Sequence, residues 1–324
     1  MLQRTAHSAH ESAASLVPCD RQRVAAHTKE SPEAARHSVW QRRLVPRTRT
    51  RRRNQGSMLT EREKILKPST IIPKRLYVQR HADRELRRAV EDMGRPAYIL
   101  VARQMGKTNL LLNAKRELEG PNDVFVYMDV SSSFEDLREF LRAVVDNAIE
   151  THPDLLAGIG PLVQDERGRR SISTHKEHEL ELRQLLKAIP GKLVVILDEI
   201  DALTRSTFSD QVFAQIRKTY FSRVNFPEYE RLTYVLSGVA EPSELIQDPK
   251  LSPFNIGEKI YLNDFTYEEF LTFLARAGMD TVSEVVARRL FYWAGGNPRI
   301  TWDVCGTIED IIIGGSEVSV ATID

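Results

Sequence analysis

Hydrophobic and polar positions follow two rhythms along this chain, and the change between them falls near Asp264. Before it, short apolar runs alternate with stretches whose apolar residues recur every three or four positions. The runs Ala97 to Val101, Asp123 to Val130, Leu193 to Leu197, Leu232 to Ser237 and Lys259 to Leu262 read as strands. Leu193-Val194-Val195-Ile196-Leu197 is apolar without a break, the pattern of a strand covered on both faces in a parallel sheet. The periodic stretches read as helices. Asp83 is placed to cap one bearing Leu86, Ala89, Val90 and Met93, closed by Gly94 and Pro96. Another carries Leu110, Leu111 and Ala114 and runs to about Glu119, where Gly120-Pro121 stops it. Ser132 to Glu135 has the form of a capping box ahead of Leu137, Phe140, Leu141, Val144 and Val145. Further helices are expected near Lys176 to Ile189 and over Phe208 to Arg223. Residues 153 to 175 mix Pro, Gly and charge without a period and are expected to form a loop-rich insertion.

Beyond Asp264 the rhythm is helical throughout. Thr266 to Glu269 and Thr281 to Glu284 are capping boxes before apolar stripes, and Asn297 with Pro298 starts a third helix carrying Ile300, Val304 and Ile308. Val318 to Asp324 reads as an element just beginning, as if the chain were cut short there. The expected fold is therefore α/β, a parallel sheet with helices on both faces over residues 58 to 264, followed by a small all-helical lid over 265 to 324.

Residues 1 to 57 have neither period and are expected to be disordered. Their composition changes the picture of charge. They carry 12 Lys+Arg against 4 Asp+Glu, a net of +8, and leave residues 58 to 324 with 34 against 41, a net of −7. The run Arg47 to Arg53 could meet nucleic acid or an acidic membrane surface, and the Arg-rich, Ser-containing leader as a whole could serve as an organelle address, although its four acidic residues interrupt it. The plain alternative is that Met58 begins the working protein. No run reaches the ~18 apolar residues of a membrane span. Cys19 and Cys305 are too few for a disulfide framework, which points to a reducing, cytoplasmic setting, and Cys305 beside Trp302 and Val304 reads as a small core residue.

Candidate chemistry begins at the strand ending in Val101. A short polar loop follows, and Gly106-Lys107-Thr108 opens a helix, the context of a phosphate-binding loop. In that role the backbone around Gly106 wraps phosphates, Lys107 reaches the β and γ oxygens, and Thr108 holds Mg²⁺ through its hydroxyl. The pattern is incomplete, because Val101 stands where G-x-x-x-x-G-K-[ST] has its first glycine. Alone, it describes a strand–turn–helix with a solvated lysine equally well. The buried strand at 193 to 197 alters the balance, since it ends in Asp198-Glu199. There Asp198 is placed to bind Mg²⁺ through water and Glu199 to orient and polarise the water attacking a γ-phosphate. Both motifs fall at carboxyl ends of strands, where ligands of open α/β sheets collect. Ser237 ends another strand at that edge and is a candidate γ-phosphate sensor. Together these features define a P-loop NTPase.

Five stretches also resemble a known family. Arg103 to Thr108, Leu197 to Leu203, Gly238 to Leu245, Pro253 to Gly257 and Trp293 to Pro298, in that order, are similar to the bacterial AAA-like ATPase domain of the STAND class, signal-transduction ATPases with numerous domains. The resemblance covers roughly residues 70 to 320. That family tolerates loss of the first loop glycine and commonly has proline where Ala102 stands. The resemblance implies nucleotide contacts from Ala102, Arg103, Gln104, Met105, Gly106, Lys107, Thr108 and Asn109. It implies a nucleotide contact at Pro298, in the Gly296-Asn297-Pro298 motif of the lid, and a leading motif, Tyr77 to Leu86, packed near the adenine. It further implies ATP and ADP with Mg²⁺, a lid clamped by ADP and loosened by ATP, self-association in the ATP state, and an effector or sensor partner. A DNA-associated AAA-type ATPase, an initiator or transposition helper, and a nucleotide-binding scaffold without turnover remain the competing readings. Arg217 and Arg223 are candidates for an arginine finger.

Overall fold

The computed structural model describes residues 63–169 and 171–324, and these described residues fall in one compact unit. The expectations for residues 1 to 57, including Cys19, lie outside the described residues. The strands are β1 (Ala97–Leu100), β2 (Val124–Asp129), β3 (Leu193–Asp198), β4 (Leu232–Gly238) and β5 (Glu258–Lys259), all parallel in the order β2-β3-β4-β1-β5. All six residues of β3 are buried, as its unbroken apolar run requires of an interior parallel strand. β4 lies between β1 and β3, so the strand that feeds the loop and the strand that carries the carboxylates are second neighbours.

Side chains alternate across the sheet and divide its core in two. One face presents Phe125, Val194, Ile196, Val235 and Ile99 to α1 (His81–Arg88) and α2 (Lys107–Leu118). The other presents Val126, Val195, Leu197, Tyr234 and Leu236 to α3 (Leu137–Thr151) and to the helices that follow it.

Those helices correct the expectation for residues 153 to 175. The insertion is helical, with α4 (Pro153–Leu156) and α5 (Ile159–Arg169) ahead of α6 (Thr174–Ala188). Local propensity is poor, since Gly160 and Pro161 open α5 and Gly168 closes it. Tertiary contacts hold the helix instead. Val163 is fully buried, and the Arg167 guanidinium, only 8 % exposed, pairs with Asp146 on α3 and Glu181 on α6 at 2.7 Å each. α7 (Ser209–Phe221) and the single turn α8 (Pro242–Leu245) complete the set around the sheet.

Three caps move. Asp83 is the third residue of α1, and its carboxylate accepts the Arg80 N–H at 2.8 Å from inside the helix. Asp136, not Ser132, caps α3, and Ser283, not Thr281, caps α10 (Glu284–Ala294). Thr266 and Asn297 cap α9 (Tyr267–Arg276) and α11 (Pro298–Ile313) as expected, and α12 (Val320–Ile323) is a closing turn. β5 is shorter than Lys259 to Leu262, yet Ile260 and Leu262 remain buried.

The helical part has its own core, built on Phe270, Phe273, Leu290 and Ile308, and residues from far earlier in the chain complete it. Leu66, Leu76 and Val78 are buried in the same cluster. The fully buried Glu309 on α11 accepts the N–H groups of Ile65 and Leu66 at 2.7 Å each, which fastens the stretch before β1 to the lid. Cys305 is buried there and its thiol is pushed up to about 12 by that burial, which makes it a core residue and not a nucleophile. Among the described residues no helix is long and apolar enough to cross a membrane.

Candidate functional site

The loop between β1 and α2 takes its shape from two left-handed residues. Gln104 has φ 68° and Gly106 has φ 87°. At Gly106 the requirement is also spatial, since a Cβ there would stand 3.0 Å from the Arg80 guanidinium. That guanidinium is buried and donates to the carbonyls of Met105 at 2.9 Å and Asn263 at 3.3 Å, bracing the loop from behind. The turn into the loop needs no leading glycine. Val101 continues the sheet, donating its N–H to the Gly238 carbonyl at 3.2 Å.

At the start of α2 the side chains turn toward the ends of the neighbouring strands. Lys107 is 6 % exposed, and its ammonium donates to the carbonyls of Val101 and Ala102 at 3.1 Å each. Burial pulls its pKa below the ordinary lysine value, while Glu199 and Asp198 oppose that shift. The Thr108 hydroxyl donates to Asp198 Oδ2 at 2.8 Å, so α2 meets β3 through the two groups the sequence singles out for a metal. Asp198 is 1 % exposed, and its Oδ1 accepts the Glu199 N–H at 3.0 Å. Glu199 itself sits in the left-handed region at φ 57°, which carries its carboxylate away from the strand and into the open site. Burial, then Asp198 and Asp201, hold its carboxyl above the usual carboxylate range. Asp201 locks the turn after β3, accepting the Val239 N–H at 2.7 Å.

A cavity of about 380 Å³ opens over this constellation. Its floor is Arg103, Gln104, Gly106, Lys107, Thr108 and Glu199, and its far wall is Pro298, Arg299 and Trp302 from α11. Asn109 lines it as well, and through its side-chain amide holds the Ile72 N–H at 2.8 Å and the Thr70 carbonyl at 3.0 Å. Ser69, Thr70 and Ile72 thereby form the third wall.

Most of the residues expected in the site are thus together at one mouth. Others lie behind it. Ala102 contributes its carbonyl to Lys107, and Met105 packs toward the lid, where Asn297 Nδ2 approaches its sulfur at 3.5 Å. Asp198 stands beneath Thr108 and is reached through it. Ser237 is fully buried beside β3, and its hydroxyl has no hydrogen-bond partner. Tyr77 to Leu86 supply no side chain to the cavity wall, which Ser69, Thr70 and Ile72 form in their place. Arg217 and Arg223 are both committed elsewhere. Arg217 donates to Asn255 at 2.9 Å, and Arg223 donates to the Leu232 carbonyl at the start of β4, the opposite edge of the sheet from the loop.

Trp302, Arg299 and the 69 to 72 stretch were not singled out as site residues in the sequence, and Arg80 was marked only as part of the Tyr77 to Leu86 resemblance, not as a brace for the loop. Trp302 and Arg299 follow Pro298 closely enough on α11 to have been candidates by helical spacing. Arg80 and Thr70 bear no local signal, because their roles depend on contacts with residues tens or hundreds of positions away.

Oxygen donors from Thr108 and Asp198 suit a hard cation such as Mg²⁺, which takes one or two protein oxygens and completes its shell from water and phosphate. Among the described residues no group of three or more His, Cys, Asp or Glu could hold a metal ion.

Solved structures share this fold. A Walker-type ATPase of Pyrococcus abyssi superposes with a TM-score of 0.51 at 18% identity, covering 80% of this chain and 73% of that one. The ADP form of the ORC2 protein of Aeropyrum pernix does so with a TM-score of 0.51 at 19% identity, over 79% and 70% of the two chains. Among curated sequences, an uncharacterised WD repeat-containing protein of Synechocystis sp. is 34% identical over 242 residues, 73% of this chain, and the match spans only 20% of that protein. The architecture is that of P-loop ATPases, and residues 67–305 match the family model described as AAA-like domain, so the chain belongs to the AAA-like domain family.

Proposed function

We propose that this chain is an Mg²⁺-dependent, ATP-binding and slowly hydrolysing switch of the STAND type. The observation that carries the reading is the cavity itself. Lys107, Thr108 and Glu199 form its floor with Asp198 at 2.8 Å from Thr108, while its far wall belongs to the lid. A ligand held there touches both bodies, and its affinity then depends on how they are arranged.

In this reading the loop N–H groups and Lys107 bind the phosphates, and Thr108 with Asp198 holds Mg²⁺, whose charge offsets that of the phosphates. Glu199 orients a water and takes its proton as the water oxygen bonds to the γ-phosphorus and the bond to the β-phosphate oxygen breaks. Its raised pKa favours that proton acceptance. Ser237, with a buried free hydroxyl next to Asp198, is the proposed γ-phosphate sensor. Pro298 closes on the nucleotide from the lid.

ADP holds lid and sheet together, and ATP permits self-association and engagement of an effector or sensor partner. The curated relative is a WD repeat-containing protein, and repeats of that kind fit the sensor such a switch answers to. The proposed compartment is the cytoplasm.

The test is mass photometry of residues 58 to 324 with ADP and with ATP, coupled to phosphate release. ATP-dependent oligomers with slow release support the switch, and binding without release points to a scaffold. A DNA-associated role draws only on the net +8 of residues 1 to 57. Strong, salt-dependent retention of DNA by residues 58 to 324, which carry a net −7, would favour it instead.

A further inference from the structure

Asp198 has a partner that neither motif supplies. Tyr127, two residues before the end of β2, donates its hydroxyl to Asp198 Oδ2 at 3.0 Å. The same oxygen accepts the Thr108 hydroxyl at 2.8 Å, and Oδ1 accepts the Glu199 N–H at 3.0 Å. β2 and β3 are in register through Asp129 and Asp198, so the phenol reaches forward along the face that α2 covers. A buried carboxylate so held has its plane fixed.

The consequence falls on Thr108. A hydroxyl that spends its proton on Asp198 turns its lone pairs away from that carboxylate, toward the cavity. The direction of those lone pairs follows the position of Oδ2, and Tyr127 helps hold Oδ2 in place.

We infer that Tyr127 is a positioning residue for divalent-cation binding: it touches neither metal nor nucleotide and acts through Asp198 and Thr108. This rests on the nucleotide-and-Mg²⁺ reading of the site. Partners of this kind, one shell out from a metal, alter metal affinity by roughly 10- to 100-fold when removed.

The experiment uses Tyr127→Phe in the full chain, which keeps the ring and deletes only the hydroxyl. A fluorescent ATP analogue is titrated first in EDTA and then at fixed concentration against Mg²⁺. The expected result is metal-free nucleotide affinity within about twofold of wild type and half-saturating Mg²⁺ raised about tenfold. The Mg²⁺-dependent part of the rise in unfolding temperature with ADP should shrink in parallel. An unchanged Mg²⁺ requirement overturns the inference while leaving nucleotide binding intact, and so does a loss of metal-free affinity matching the loss in Mg²⁺, the signature of a structural role. A wild-type chain that binds no nucleotide under either condition overturns the underlying reading and the inference with it.

Discussion

The sheet and the lid bury their cores by opposite strategies. In the sheet, β1 to β4 are local, largely apolar runs, and β2, β3 and β4 stack in continuous register. Its core is assembled from segments that announce themselves. The lid is smaller, and α9, α10 and α11 do not close it alone. It borrows Leu66, Leu76 and Val78 from the far end of the described chain and secures the loan with the buried Glu309 carboxylate on two backbone N–H groups. The same borrowed stretch runs on to Thr70 and Ile72, which Asn109 ties to α2. One strap is therefore fastened to the helical part through Leu66 on one side and Leu76 and Val78 on the other, and to α2 through Thr70 and Ile72 between them, where it walls the cavity. The candidate catalytic and metal-binding side chains Lys107, Thr108, Asp198 and Glu199 all lie on the sheet side. The strap and α11 both line the cavity over the loop.

The largest effect that would break this division is on turnover. Glu199→Gln should leave nucleotide affinity near wild type and lower phosphate release by about 10²- to 10⁴-fold, the usual contribution of a positioned general base. Wild-type release by the variant would remove Glu199 from the chemistry and shift attention to the lid.

Next is the strap. Leu66→Ala empties a 2 % exposed position and should cost about 2–5 kcal/mol. If the two cores are separate, hydrogen exchange should rise across α9 to α11 with β3 and β4 still protected. Uniform loss of protection would show a single cooperative core instead.

Lys107→Ala addresses the loop. Removing one charged hydrogen-bonding group should weaken ATP binding roughly 10- to 100-fold, with little change in unfolding temperature without nucleotide. Equal affinities would take Lys107 out of the site.

The smallest effect concerns the back of the sheet. His178 on α6 is fully enclosed, and burial, followed by His175 and Arg167, pushes its imidazole down to about 3. The folded state resists protonation that the unfolded chain accepts near the ordinary value of 6.5, so stability present above about pH 6.5 is lost as pH falls toward 3, at up to about 1.4 kcal/mol per pH unit. Thermal unfolding of the wild type and His178→Gln between pH 7 and 5 should diverge, with the variant flatter. Parallel curves would place the acid sensitivity elsewhere.

Legibility in the sequence followed distance along the chain. The strand–loop–helix around Gly106, the buried strand ending in Asp198-Glu199, and the caps at Thr266 and Asn297 are contiguous patterns, and each lies where its pattern indicates. Where the reading slipped, the deciding energy was not local. Asp83 lies inside α1 and Asp136 takes the cap expected at Ser132, because a cap depends on which neighbouring residue leaves the helical region first. α5 forms against its glycines because Arg167, pulled between Asp146 and Glu181, and Val163 in the core repay a weak intrinsic propensity.

What the sequence determined by itself was the inventory: parallel strands, a loop able to wrap phosphate, two carboxylates at a strand end, and a helical body after them. These follow from periods and spacings of a few residues, which act before any long-range contact forms. Only the tertiary structure decided that β4 separates β1 from β3, that Tyr127 and Thr108 share one oxygen of Asp198, and that Leu66 belongs to the lid. Each of these pairs residues far apart in the chain. Closing so long a loop carries an entropy that no local pattern encodes, and it is offset only when the complete core is buried around the contact.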